Sequence, residues 1–262
     1  MKTMPAKTLL PTLCCLALCA LARAQYIPAT PRAGAEPTRT FIQENLVYPA
    51  EALEAGLNGA VVVAFKVDEH GQGNDYHIQE SFCEAANAQA LDLVMKILWS
   101  PALNDMKPVA SEMEYRIDYK AKAYKRHWKK RERVSVPLSH EADSGYHIYE
   151  LFQLEEQAKP YFADGSTMTS YILQELRYPE AAKLAEIAGT VRLSFVVETD
   201  GAISNILIEQ SIGGGCDNEA IRLMEATHWI PAVLNGRYVR SRNEQDITFH
   251  FGERNYLDGN SY

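Results

Sequence analysis

The chain has 262 residues, 47% of them hydrophobic and 10% aromatic, and a formal net charge of −8. These are ordinary globular values and exclude collagen-like and wholly disordered chains. Beyond the N-terminus no apolar run is long enough for a membrane helix, which excludes a polytopic membrane protein, and the acidic balance argues against a general nucleic-acid binder.

The first segment reads as an export signal. Lys2 and Lys7 precede an apolar stretch over residues 8–22, and Ala22, Arg23 and Ala24 supply small residues where a signal peptidase reads. Residues 1–24 are therefore expected to be removed, leaving a soluble product. An uncleaved anchor is the alternative, but the run is short of the roughly 20 residues that span a bilayer and contains Pro11. Leu13 before Cys14 and Leu18 before Cys19 are bulky where a lipoprotein signal carries a small residue. Loss of Lys2, Lys7 and Arg23 lowers Lys plus Arg from 26 to 23 against 34 acidic residues, a net of −11. Of five cysteines, Cys83 and Cys216 remain, compatible with one bridge or two free thiols.

The rest is one unit written twice. A shift of 130 residues lays residues 41–120 on 171–250 without a gap, with about 22 of 80 positions identical. Tyr48 and Pro49 fall on Tyr178 and Pro179, Gly59 on Gly189, Phe65 on Phe195, and Gly71 on Gly201. Trp99 falls on Trp229 and Pro101 on Pro231. Each copy is long enough to enclose its own core, so these are tandem domains rather than a solenoid.

In chain order, residues 25–38 read as a linker and 39–121 as a first, divergent domain. Residues 122–145 read as a basic linker, 146–252 as the second domain, and 253–262 as a tail. Within each domain a short helix (39–46 or 168–176) ends before Tyr-Pro, because the residue ahead of proline is pushed out of the helical region. A helical turn follows (49–57, 179–187). Val61, Val63, Phe65 and Val67 then alternate, as do Val191, Leu193, Phe195 and Val197, predicting a core strand. His70-Gly71 and Asp200-Gly201 suit a hairpin turn needing positive φ. Return strands are expected over 74–81 and 202–211. Helices are expected over 84–98 and 218–227, the second capped by Asp217, and closing strands over 113–120 and 243–251. The fold class is α+β: two tandem domains, each an antiparallel sheet of about three strands with helices on one face.

Between the copies, residues 120–133 carry eight Lys or Arg against Glu132. This stretch reads either as a solvated helix or linker, or as a docking patch for acidic lipid headgroups, with nucleic acid behind lipid in an exported protein. Residues 146–162 read as an approach strand to the second domain.

Catalytic chemistry is not legible. His70 lies in a turn, His77 and His250 on strands and His228 at a helix end, none with a second ligand at metal spacing. Gly213-Gly214-Gly215 has no following Lys-Ser/Thr, and acidic residues come next where an anion would sit. Gly71-Gln72-Gly73 lies in a hairpin rather than between strand and helix. Neither cysteine is tied to a histidine by a motif. No catalytic residue, metal or cofactor is expected.

The recurring residues also carry a likeness. Tyr178-Pro179-Glu180-Ala181-Ala182, Gly189-Thr190-Val191, Phe195-Val196-Val197 with Asp200-Gly201, Gly215 to Ala220, Trp229-Ile230-Pro231-Ala232, and Gly236 with Val239 resemble the C-terminal domain of TonB energy transducers. The second copy is the better match. The resemblance implies a periplasmic module of a double-membraned bacterium. It would grip an extended N-terminal segment, the TonB box, of outer-membrane receptors by strand addition, linked to an inner-membrane motor through other proteins. Carried onto this chain, the partner-binding edge is Asn243, Glu244, Gln245, Asp246, Ile247, Thr248, Phe249, His250 and Phe251, with Arg177 beside it. The divergent equivalent is 113–119, with Val47 before Tyr48-Pro49. Tyr178, Pro179, Phe195 and Trp229 are expected to shape core and loops rather than touch the guest. A full transducer retains an N-terminal membrane helix with a histidine face and has a long proline-rich spacer. Here the apolar segment has no His, and residues 25–40 hold only Pro28, Pro31 and Pro37. The alternative is a structural envelope protein whose sheet edges pair with each other or with a second copy of the chain.

Overall fold

A computed structural model describes residues 25–129 and 134–250; residues 1–24, 130–133 and 251–262, with the expected export signal, part of the basic run and Phe251, lie outside the described residues. The first copy runs β1 (Tyr26–Ile27), β2 (Thr30–Pro31), α1 (Ala35–Asn45), α2 (Ala50–Glu54), β3 (Gly59–Val67), β4 (Gly73–Glu80), α3 (Glu84–Met95), β5 (Trp99–Ser100), β6 (Ala102–Asn104), β7 (Lys107–Val109), β8 (Ser111–Tyr119) and α4 (Ala121–Trp128). The second runs β9 (Glu141–Ala142), β10 (Ile148–Tyr149), β11 (Lys159–Tyr161), α5 (Met168–Glu175), α6 (Glu180–Leu184), β12 (Gly189–Val197), β13 (Ile203–Gln210), α7 (Cys216–Glu225), β14 (His228–Ile230), β15 (Ala232–Leu234) and β16 (Arg237–Phe249).

The α+β architecture is as expected. Each copy is built on three antiparallel strands, ordered β4-β3-β8 and β13-β12-β16. The alternating residues of the central strands are the cores: Val61, Val63, Phe65 and Val67 are buried in one cluster, and Val191, Leu193, Phe195 and Val197 in another. The duplication extends to backbone signs that no composition count shows. Positive φ recurs at the same offset at Gly56 and Glu186, Gly71 and Gly201, Asp75 and Asn205, Asp105 and Asn235, and Met106 and Gly236. The register shifts between the first and second strands also recur, at Ala64/Lys66 and Ser194/Val196. A repeated bulge twists both sheets alike.

The Gly and Trp signatures belong to one contact. Gly71 and Gly201 close the hairpin loops at φ +81° and +86°, donating to Asp68 and Glu198 carbonyls. A Cβ on either would lie 2.4 or 2.3 Å from the carbonyl oxygen of Trp99 or Trp229. Only glycine admits both the left-handed backbone and this approach. Trp229 N–H donates back to the Gly201 carbonyl at 3.0 Å, and its ring packs on Phe195 at 5.1 Å.

Several elements differ from the sequence reading. Helix α1 starts at Ala35, and the preceding residues pair with the first copy's small hairpin: β1 with β6, and β2 with β5. Most of the basic run is α4, whose Tyr124 ring packs on Tyr48 at 5.2 Å. Asp217 does not cap α7. Gly215, at φ +88°, precedes the helix, and Asp217 in its first turn accepts from Ile212 N–H and the Ser211 hydroxyl. Asn87 does the same for Phe82 N–H in the first copy. His228 lies on β14 rather than at a helix end. Strand β16 begins at Arg237, six residues before its expected start, because Gly236 at φ +70° turns β15 back onto it. Cys83 and Cys216 are free thiols packed in separate cores. Burial, chiefly, pushes the Cys216 thiol pKa up.

Replacing Gly201 with alanine is expected to cost about 3 kcal/mol, combining about 1 kcal/mol of left-handed strain with displacement of the Trp229 carbonyl. Gly213, at φ +74° with open space around it, supplies the control. Gly213→Ala carries only the strain, about 1 kcal/mol. Urea denaturation of both variants checks the difference; equal losses would mean the Trp229 approach contributes nothing.

Candidate functional site

The margins of the two sheets are where backbone groups lack strand partners. On its inner side β16 pairs with β12 in unbroken register, from Gly189 opposite Phe249 to Val197 opposite Ser241. Its outer side is partly covered by the chain itself. Glu141 and Ala142 lie parallel to Arg237 and Tyr238, and Ile148 and Tyr149 lie parallel to Arg240 and Ser241. From Asn243 to Phe249 no strand among the described residues pairs on that side. Ile247 and Phe249 face the core, Asn243 is buried, and Glu244, Asp246 and Thr248 are exposed; Gln245 is half-buried and His250 exposed beyond the strand's end. Arg192 forks onto the Asp246 carboxylate at 2.9 and 3.1 Å.

Arg177 is exposed, and its loop is anchored from behind. Its N–H donates to Glu219 Oε1 at 2.6 Å, and Tyr178 next to it donates its hydroxyl to the Ile187 carbonyl. The Tyr178 ring packs edge-on against Phe249 at 5.7 Å, so the Tyr-Pro loop abuts the far end of β16. Tyr48 repeats this bond to the Leu57 carbonyl. Phe195 and Trp229 are buried core residues, and Pro179 immediately precedes α6.

The first copy's closing strand is more open. β8 pairs with β3 from Gly59 opposite Tyr119 to Val67 opposite Ser111, and no strand among the described residues lies on its outer side. A groove of about 830 Å³ runs along that margin between α1 and α4. It is lined by four consecutive strand residues, Tyr115, Arg116, Ile117 and Asp118, so it follows the strand's edge rather than one face. Ile42, Leu46 and Tyr124 form its apolar side. Sequence reasoning ranked the second copy first and missed this groove, whose walls come from a helix starting earlier than expected and from the basic run. The high density of lysine and arginine directly after the strand was the available signal.

The copies are joined by a buried polar cluster. Asn205, at the bulge, accepts from Leu98 N–H at 2.8 Å and donates to the Lys96 carbonyl at 2.9 Å. Arg240 also donates to that carbonyl and binds both oxygens of Glu198 at 2.8 Å, while Ser204 donates to Glu198 Oε1. Arg240 and Glu198 are 3% and 1% exposed, so each charge depends on the other. Tyr146 donates to Asp92 at 3.0 Å, and burial, with the negative charge of Asp92, pushes its pKa up to about 12.

Burial raises the Glu219 pKa, but bonds from Arg222 and the Arg177 N–H outweigh it and hold the carboxyl below its ordinary 4.5. Such a group contributes stability that is full above 4.5 and fades as pH falls through the lower folded-state value. Glu219→Gln should therefore cost about 1–2 kcal/mol at neutral pH, and the gap from the parent protein should close below about pH 4.5. Chemical denaturation across pH checks this; a gap that persists in acid would assign the loss to packing.

Among the described residues no three His, Cys, Asp or Glu side chains gather as metal ligands, and no helix is long and apolar enough to cross a membrane. The family model for the Gram-negative bacterial TonB protein C-terminal matches residues 44–121 and again 174–251. The NMR solution structure of the Helicobacter pylori TonB C-terminal domain is 21% identical over 32% of this chain and 78% of that one, with a TM-score of 0.25. No curated protein matches the chain. The family match covers more than half of the sequence, and the protein belongs to the Gram-negative bacterial TonB C-terminal family, whose domain it carries twice.

Proposed function

We propose that this protein binds extended peptide segments of outer-membrane receptors or related envelope proteins by strand addition, in support of energised transport. Membership of the TonB family supports the transport setting and an envelope location. The observation that carries the binding mode is the unpartnered outer side of Asn243–Phe249 and of β8 among the described residues. A strand margin of this kind offers a row of N–H and C=O groups that an extended peptide can satisfy. The second copy already accepts such a guest from its own chain, Ile148–Tyr149 beside Arg240–Ser241. Export to the periplasm is part of the same reading, with membrane association if residues 1–24 are retained.

The scaffold reading, in which the two sheets close on each other, finds no support in the way the copies meet. Their contacts run through Asn205, Arg240 and the end of α3, and through α1 against β13 and α7, and neither open margin faces the other as a strand partner.

At about 1 kcal/mol net per added backbone bond, four to six bonds with side-chain contacts give an expected Kd of about 0.1–1 mM. Titration with synthetic N-terminal receptor segments, followed by amide exchange, should show new protection confined to residues 243–249 or 111–119. Absence of binding by the folded protein, or protection of both margins before any peptide is added, would sink the reading.

A further inference from the structure

We infer that the groove along β8 selects an acidic extended peptide, one that alternates apolar and carboxylate side chains. The inference rests on the strand-addition reading and adds to it the chemistry of the guest. The groove's apolar side, from Ile42, Leu46, Ile117 and Tyr124, suits one face of an extended chain, since successive side chains point to opposite faces. Its charged lining is Arg39, Arg116, Lys120 and Arg126, against one carboxylate, Asp118; Arg39 and Arg116 also meet Glu36 at 2.8 Å and Glu80 at 3.0 Å, so the uncompensated charge lies at the α4 end of the groove. Asp118 is already engaged by Lys120 at 3.1 Å and Arg116 at 3.0 Å, and the Lys120 bond, chiefly, holds its pKa below the ordinary value. Among the described residues neither Arg126 nor Lys122 has a carboxylate partner, and Lys122 extends the basic rim into an adjoining depression with Lys120 and Arg126. On a chain of net charge −8, this groove is a local positive site that attracts and orients an anionic guest.

The same cations could meet an anionic bilayer. The structure favours a peptide because Tyr124, which packs on Tyr48 at 5.2 Å and on Trp128 at 5.6 Å, lines the groove between α1 and α4, where a single extended chain can reach it and a flat headgroup surface cannot. The strand residues do not set the two margins apart, since β8 exposes Glu112, Glu114 and Asp118 as β16 exposes Glu244 and Asp246; the difference is Lys120 and Arg126 beside β8, which have no counterpart beside β16 among the described residues.

The test uses the full chain and four fluorescent octapeptides: alternating valine and glutamate, the glutamine and lysine counterparts, and the glutamate peptide N-methylated at alternate amides. The glutamate peptide is expected to bind at least about 10-fold tighter than the lysine peptide at low salt. That ratio should narrow at about 0.5 M salt as screening shortens to a few ångströms. Protection from exchange should fall on residues 111–119. Lys120→Glu with Arg126→Glu, both exposed, should abolish the preference, as Arg126→Gln should weaken it, while Lys159→Glu, exposed on β11 of the second copy, should leave it intact. If the glutamine peptide binds as tightly as the glutamate peptide, the acidic selectivity falls and strand addition stands. If the N-methylated peptide binds undiminished, strand addition falls and the charge preference stands. Sedimentation with phosphatidylglycerol vesicles that needs Lys120 and Arg126, without binding of any octapeptide, would overturn the inference in favour of a lipid surface.

Discussion

A strand inside a sheet satisfies its N–H and C=O groups on both sides, and a strand at the margin satisfies only one, leaving the other to water or a guest. In this protein β3 and β12 are the saturated strands, each flanked antiparallel on both sides along most of its length. Their inward residues are almost wholly buried, which fixes register, because a slip by one residue would turn Val61 or Val191 to solvent. The closing strands β8 and β16 inherit that register and carry its unfinished half. The local packing described above, from the Tyr-Pro loops to the Trp carbonyls over the hairpin glycines, holds these central strands in place and so determines where the open rows lie.

The duplicated bulge shows how one backbone feature serves two environments. Asp75 and Asn205 hold the same left-handed conformation at φ +55° and +51°. In the first copy the position faces solvent, and Asp75 pairs with Lys66 at 3.0 Å, an exposed pair that contributes little. In the second copy it faces the end of α3, where a charge without a partner would be costly. An amide there both accepts from Leu98 N–H and donates to the Lys96 carbonyl. Arg240 stands where the first copy has Ala110, and its charge is buried only because Glu198 meets it with both oxygens. The polar part of the docking therefore comes from Asn205, Arg240 and Glu198 on a shared frame, beside the packing of α1 on β13 and α7.

The sequence made the frame legible because its signals are local and periodic. Alternation marked β3 and β12, proline marked the helix ends before Tyr48 and Tyr178, and the shift of 130 tied the copies together. What it did not disclose are strands of two residues such as β1, β2 and β9, which are too short for any period and exist only through pairing with distant chain. The same limit applied at the site. Residues 243–249 read correctly as a closing strand, but the cover on Arg237–Ser241 comes from β9, in the segment read as a linker, and from β10, at the start of the approach strand expected over 146–162, whose pairing partner the sequence does not disclose. The groove beside β8 was likewise hidden, because it needs α1, β8 and α4 to converge, and the basic residues of α4 read equally well as a solvated linker.

Shared backbone and unshared charge together separate affinity from discrimination. The two open rows have the same register against their central strands and the same bulge, so the hydrogen bonds offered to a guest are alike in kind, along 111–119 in one and the shorter 243–249 in the other. Those bonds are blind to sequence, since every residue but proline presents the same groups. Selection must then come from the side chains that border each row: both strands expose carboxylates, Glu112 and Glu114 on the first and Glu244 and Asp246 on the second, and Lys120 and Arg126 stand beside the first alone among the described residues. With an acidic guest drawn to Lys120 and Arg126 at one margin and offered no such cations at the other, its charge pattern decides which copy holds it, while its extended backbone supplies the same kind of modest grip at either.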